Sequence, residues 1–307
     1  METTTISIGA GRLSARIDTL GAQLMSLKLD DIEYLWQGDP RWWPRRSPVL
    51  FPIVGSLRPG TVSAAGPCPM GRHGVARSQE FSVVMCTADS VALELAANDA
   101  TLAAYPYRFR LRLSYAATNE TGLEQRFEVE NTGEAPMPYV LGGHPAFALP
   151  LGGPAMAPAE PLASEENPAF EGCALEFARP WSACSPTMVP GELLDFDQPI
   201  PVVEDTDRLP LSRALFATDT LVLHDVPERM ARLTDARTGR SVRFDFPGFD
   251  YLGVWSAANG AAPFVAIEPW LGCATATNEG DHLEEKRGMR LLAPGATATH
   301  AFTMTLA

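Results

Sequence analysis

The chain has 307 residues, 46% of them hydrophobic and 20% charged, enough apolar material for one large core or two ordinary ones and no segment polar enough to stay unfolded. Its formal net charge of -13 argues against nucleic acid or an anionic membrane surface as a partner, because either calls for a basic patch that displaces counterions. A small neutral ligand suits that balance better.

From the start of the chain, Met1 to Gly11 carries neither a basic leader nor an apolar stretch of signal-peptide length. No run approaches the ~18 apolar residues of a membrane-spanning helix. The expectation is a soluble, cytoplasmic protein, monomeric or homodimeric. Cys68, Cys86, Cys173, Cys184 and Cys273 are odd in number and form no CxxC, which fits free thiols acting as small buried hydrophobes rather than disulfides or a thiolate metal site.

Period-2 alternation is clear where Phe109, Leu111, Leu113 and Tyr115 interleave with Arg108, Arg110, Arg112 and Ser114, the pattern of a strand with one wet face. After a turn at Asn119 to Gly122, Leu123, Gln125, Phe127 and Val129 alternate with charged residues, so the two runs read as a hairpin. The stretch from Ala148 to Pro201 holds ten of the 27 prolines and is expected to form irregular loops around one or two short strands such as Ala174 to Phe177. Arg232 to Phe246 repeats the hairpin pattern about Asp235 to Gly239, and Phe302, Met304 and Leu306 alternate with threonines at the end. No helical stripe survives the prolines and glycines. The fold class expected is all-β, mainly antiparallel, a sandwich or barrel forming one domain over residues 1–307.

Three compact segments set a proton-transfer group beside Gly, Pro or aromatic residues: Arg72-His73-Gly74, Gly143-His144-Pro145-Ala146-Phe147 and Ile267-Glu268-Pro269-Trp270. His144 follows the apolar run Tyr139-Val140-Leu141 and Glu268 follows Phe264-Val265-Ala266-Ile267, so both sit where buried strands end. A histidine so placed is ordinarily structural. A carboxylate in an apolar strand is the stronger clue, since burying it costs several kcal/mol unless it is paired or working; an ion pair with Arg77 or Arg46 is the structural alternative. The sequence has no GxSxG, GxxxxGK[ST], HExxH or GxGxxG, which leaves nucleophilic, metal and dinucleotide readings without support.

These segments resemble the aldose 1-epimerase, galactose mutarotase-like, family, particularly its bacterial lactose-operon-associated homologues. The resemblance runs from about Tyr34 to the C-terminus and includes Tyr34-Leu35-Trp36-Gln37-Gly38-Asp39-Pro40, Ser47-Pro48-Val49-Leu50-Phe51-Pro52, His73-Gly74-Val75-Ala76-Arg77 and Leu252-Gly253-Val254-Trp255-Ser256, in the family's order. It implies a large antiparallel β-sandwich of the galactose mutarotase type and a cofactor-free reaction on an aldose, with no metal. It further implies His144 as general acid, Glu268 as general base, His73 as a second active-site histidine, and Asp219 as a ligand of sugar hydroxyls, with Arg77 and Arg46 as weaker candidates. Trp255, Trp270, Phe147 or Trp36 would offer an apolar platform for a sugar face. His144 and Glu268 are expected to face each other across a cleft one pyranose ring wide. A neutral hexose is the expected substrate, with a hexose 6-phosphate read by Arg41, Arg45, Arg46, Arg72 or Arg77 as the alternative. A non-catalytic sugar-binding protein on the same scaffold is the third reading. Val75 stands where the family commonly has an aromatic, and Leu271 to Gly280 is rich in Ala and Thr where the family is more polar.

Overall fold

A computed structural model describes residues 3–153 and 166–307. The hairpin expected from alternation is present: Phe109–Ala117 pairs antiparallel with Gly122–Asn131, and the Asn119 side-chain oxygen accepts the N–H groups of Thr121 and Gly122 to close the turn. Phe109, Leu111, Leu113, Tyr115, Phe127 and Val129 are buried on one face, while Arg110 meets Glu130 and Arg112 meets Glu128 on the other.

This hairpin lies within a nine-stranded antiparallel sheet, whose order is Leu193–Pro210, Cys173–Val189, Met230–Asp235, Arg240–Asp245, Thr297–Leu306, Gly122–Asn131, Phe109–Ala117, Ser90–Ala96 and Ser82–Cys86. A six-stranded sheet runs Leu221–His224, Tyr251–Trp255, Phe264–Trp270, Gly142–Gly143 and Val49–Leu50, with Ala146–Ala148 also paired to Phe264–Trp270. The two sheets pack face to face. Phe147 of the smaller meets Phe244 of the larger at 5.6 Å between ring centroids, and the Phe302 ring lies so close to Gly143 that an added Cβ would stand 2.6 Å from it. A four-stranded N-terminal sheet, Thr5–Ala10 to Ile32–Glu33, is tied on by the Tyr115 hydroxyl, which donates to the Ala22 carbonyl.

The architecture is therefore the antiparallel β-sandwich expected. Among the described residues α-helix is confined to Asp99–Ala104 and Ala257–Gly260, and no helix is long and apolar enough to cross a membrane. All five cysteines are free thiols, but Cys86 and Cys184 are exposed rather than core filler.

The proline-rich stretch departs from expectation. Residues 154–165 of it lie outside the described residues, but beyond them Cys173–Val189 and Leu193–Pro210 form a long antiparallel pair of 17 and 18 residues. Only Cys173–Phe177 stays in the nine-stranded sheet, paired to Ala231–Asp235; past that point the pair runs on as a two-stranded ribbon with repeated register shifts. Pro180, Pro186, Pro199 and Pro201 are tolerated because an edge ribbon with bulges has positions where no ladder N–H is needed. The ribbon folds onto the smaller sheet, where the Ser185 hydroxyl accepts the Val222 N–H at 2.9 Å, and Leu194 exchanges backbone hydrogen bonds with Thr275 and Thr277.

Candidate active site

The strand Phe264–Trp270 is buried along its whole length, and Glu268 within it is opposite Gly253. Gly253 has no side chain because the Trp270 indole lies over it, 2.3 Å from where a Cβ would be. Gly142 pairs with Trp270 in the adjacent strand, and the Pro145 carbonyl accepts the Ile267 N–H, so the backbone on either side of His144 is clamped to the backbone on either side of Glu268. Two residues far apart in sequence are thereby made neighbours, and Glu268 lies inside its strand rather than at the strand end expected for it.

His144 Nε2 lies 3.3 Å from Glu268 Oε2, a direct contact between two buried side chains. The expectation of a pyranose-wide gap between them is corrected: cross-strand neighbours in one sheet present their side chains side by side, on one wall. The carboxyl's contact is with His144 rather than with the Arg77 or Arg46 of the structural alternative.

His73 comes from a different part of the chain. It sits at φ 65° and is followed by Gly74 at φ 75°, where an added Cβ would meet the Phe51 carbonyl oxygen at 2.3 Å, so the turn that presents the histidine requires glycine. The Gly55 N–H donates to His73 Nδ1 at 3.1 Å, which assigns the ring proton to Nε2. The His73 ring stands edge-on to His144 at 5.6 Å. His144 is in turn stacked on Trp43, with centroids 4.9 Å apart, and meets Trp255 edge-on at 5.5 Å. Aromatic packing orients this imidazole.

These groups line a cavity of about 180 Å³. Of the residues expected there, His144, Glu268, His73, Arg77, Trp255 and Trp270 are in its wall. Asp219 is one step behind, accepting a 2.8 Å hydrogen bond from the hydroxyl of Thr220, which does line the cavity. Arg46 is corrected: its guanidinium turns to the N-terminal sheet and donates to the Met25 carbonyl at 2.8 Å. Trp36 packs on Phe264 and Phe147 on Phe244, both inside the core. Trp43, Thr220, Met188 and Leu194 were not expected in the wall. Trp43 carried one signal, an aromatic pair with Trp42 in a connecting segment between strands.

Burial sets the electrostatics. It drives the His144 pKa down to about 3, with Arg72, Arg77 and Arg45 adding repulsion of the imidazolium. Burial lowers His73 as well, helped by His144 and the same arginines. The Glu268 carboxyl moves the other way, held well above the ordinary range by burial against the pull of Arg72. Burial thus favours the neutral form of both partners. Arg77, half-buried near Arg45 and Arg72, is pushed down to about 10 and stays cationic.

The wall also holds polar atoms with nothing to bond. His144 Nδ1, Glu268 Oε2, Trp270 Nε1 and Arg72 Nε are all buried without a hydrogen-bond partner, and all four residues face this cavity. Each such atom costs about 1–3 kcal/mol, so their gathering at one cavity marks a place built to be filled by a polar ligand. Among the described residues no group of three or more His, Cys, Asp or Glu is arranged to hold a metal ion.

Comparison with known proteins agrees. The family model for aldose 1-epimerase matches residues 4–304. The chain is 34% identical to the chromosomal and the plasmid forms of Protein LacX from Lactococcus lactis subsp. lactis, over 98% of this chain and 99% of each relative. A galactose mutarotase related enzyme from Lactobacillus acidophilus superposes with a TM-score of 0.87 at 29% identity, covering 99% of this chain and 97% of that one. A galactose mutarotase-like protein from Lactobacillus casei gives a TM-score of 0.86 at 28% identity, covering 99% and 100%. With the match spanning nearly the whole sequence and a galactose mutarotase-like fold beneath it, this chain belongs to the aldose 1-epimerase family and is of the carbohydrate-epimerase kind.

Proposed function

We propose that the protein interconverts the α and β anomers of a hexose by opening and reclosing the pyranose ring, with His144 and Glu268 exchanging the protons. The observation that carries this is the 3.3 Å contact of the two side chains on a cavity wall where their buried polar atoms lack partners. Ring opening removes a proton from the anomeric hydroxyl and adds one to the ring oxygen. Both oxygens are bonded to the same carbon, so the two groups that serve them belong next to each other rather than on opposite sides of the sugar.

In their neutral forms the pair can exchange one proton, that of the carboxyl, beyond the N–H that the imidazole keeps. Moved across the contact from carboxyl to imidazole, it gives a carboxylate and an imidazolium without any change in charge. Glu268 then takes the proton of the anomeric hydroxyl as His144 protonates the ring oxygen, the C1–O5 bond breaks, and an open-chain aldehyde forms. Rotation about C1–C2 turns the other carbonyl face to the C5 hydroxyl, and the reversed transfers close the ring. His73, with its proton on Nε2, donates a hydrogen bond to the sugar, and Trp43, Trp255 and Trp270 shield the reacting carbon from water.

Polarimetry on freshly dissolved α-D-glucose or α-D-galactose tests this. Glu268→Gln and His144→Ala are each expected to lower the catalysed rate by roughly 10²–10⁴-fold. Full rate in both folded variants would sink the assignment, and sugar binding by a wild-type protein that accelerates nothing would favour a binding role. A hexose 6-phosphate is the second reading, favoured by Arg72 and Arg77 in the cavity wall with Arg45 beside them.

A further inference from the structure

Three guanidiniums, those of Arg45, Arg72 and Arg77, act electrostatically on His144 and His73. Arg72 and Arg77 line the cavity, where burial favours the neutral forms of both histidines and Glu268, so positive charge predominates in its wall although the protein is acidic. Such a site attracts an anionic ligand unless something answers the charge. We propose that Glu192, at the tip of the proline-rich ribbon, is a specificity-determining residue that occupies Arg72 and so disfavours anionic sugars over neutral ones. The proposal rests on the reading of the cavity as a sugar site.

The argument is geometric. Val189 pairs with Leu193, so residues 190–192 form the turn of the ribbon, and Gly191 and Glu192 both take left-handed backbone conformations at φ 86° and 59°. One Glu192 carboxylate oxygen lies 3.5 Å from Arg72 Nη1, and the other accepts the hydroxyl of Ser56. Met188 and Leu194, on the two sides of this turn, line the cavity, as do Gly55 and Arg72. Glu192 thus bridges the ribbon to both of the segments that carry His73 and its partner Gly55. The ribbon is held there by the backbone bonds of Leu194 to Thr275 and Thr277.

A carboxylate is the group a guanidinium would otherwise take from a ligand, because carboxylate and phosphate oxygens fit the same planar donors. Arg72 Nε is buried and unpartnered, so Glu192 satisfies this guanidinium only in part. Glu192 also lies within electrostatic reach of Arg77. A phosphate or carboxylate on the sugar that approaches either arginine therefore meets a fixed negative charge.

The test has two arms. In the first, inorganic phosphate is titrated against the fluorescence of the cavity tryptophans in wild type, Glu192→Gln and Glu192→Gln/Arg72→Gln. Glu192→Gln is expected to bind phosphate tighter by on the order of tenfold, with the gain lost in the double variant. Equal phosphate binding by wild type and Glu192→Gln would overturn the proposal, as would a gain that survives the loss of Arg72. In the second arm, the ratio of catalysed rates for glucose 6-phosphate and glucose is expected to rise by about tenfold in Glu192→Gln. An unchanged or lower ratio counts against the proposal. If wild type accelerates neither sugar, the functional reading fails while the phosphate arm still decides the role of Glu192. Circular dichroism and Tm show whether each variant keeps its fold.

Discussion

The wet face of the Phe109–Asn131 hairpin and the cavity wall resolve their charged groups in opposite ways. On the wet face of the hairpin, Arg110 and Arg112 are answered by Glu94, Glu128 and Glu130. In the cavity burial pushes a carboxyl and two imidazoles toward their neutral forms, and four polar atoms are unpartnered. The first arrangement contributes to stability and the second costs it. Unpartnered buried atoms also occur in the hairpin, at Arg112 Nε and the Gln125 amide; those of the cavity differ in bordering a space that a ligand can fill. The hairpin should therefore respond to substitution in stability and the cavity in rate.

The largest effect on that contrast is expected from the hairpin's apolar face. Leu111 is fully buried, and Leu111→Ala should cost about 2–5 kcal/mol through lost burial and the cavity left behind. Chemical denaturation measures it. The catalysed rate per folded molecule should stay at the wild-type value, and a loss of rate in the folded fraction would show that the two regions are coupled.

A smaller effect is expected at Trp43, whose ring stacks on His144. Trp43→Leu should lower kcat by about tenfold, or ~1.4 kcal/mol, because the imidazole has no hydrogen bond at Nδ1 to hold it in place. If KM rises and kcat does not change, Trp43 is a platform for the sugar and not a support for His144.

The two regions were also unequally legible. Alternation is a local signal, so the faces of Phe109–Ala117 and Gly122–Asn131 could be read directly from residue order. His73, His144 and Glu268 stood out because they interrupt apolar or glycine-rich segments, and family register gave them roles. Their contact could not be read, since it depends on the pairing of Gly142 with Trp270 across more than a hundred residues of chain. Residue order does not separate the adjacent arginines: the Arg46 guanidinium serves the Met25 carbonyl, while Arg45 is near enough to the histidines to disfavour their charged forms. The ribbon's prolines mask in the sequence a two-stranded pairing that only bulges make possible, and this hides Met188, Leu194 and Glu192 as residues near the site.

The smallest effect is the most discriminating. If burial of Glu268 is a cost accepted for function, Glu268→Gln should destroy catalysis and yet raise Tm. A carboxyl whose folded pKa is raised binds its proton more tightly than the unfolded chain does. Its contribution is fully present below the ordinary value of 4.5 and is lost as pH rises through the folded value. Glutamine does not titrate, so the advantage of the variant should grow with pH over that range, reaching about 1–2 °C in Tm, the shift that ~1 kcal/mol produces at an unfolding entropy of ~2 cal/mol/K per residue in a chain of 307 residues. His144 works in the other direction, since its pKa is depressed to about 3 and wild type and variant alike lose stability as pH falls below 6.5. The difference between the two Tm curves isolates the carboxyl. A Tm for Glu268→Gln that is lower than wild type at every pH would mean that Glu268 supports the fold, and that the contrast between hairpin and cavity wall does not hold.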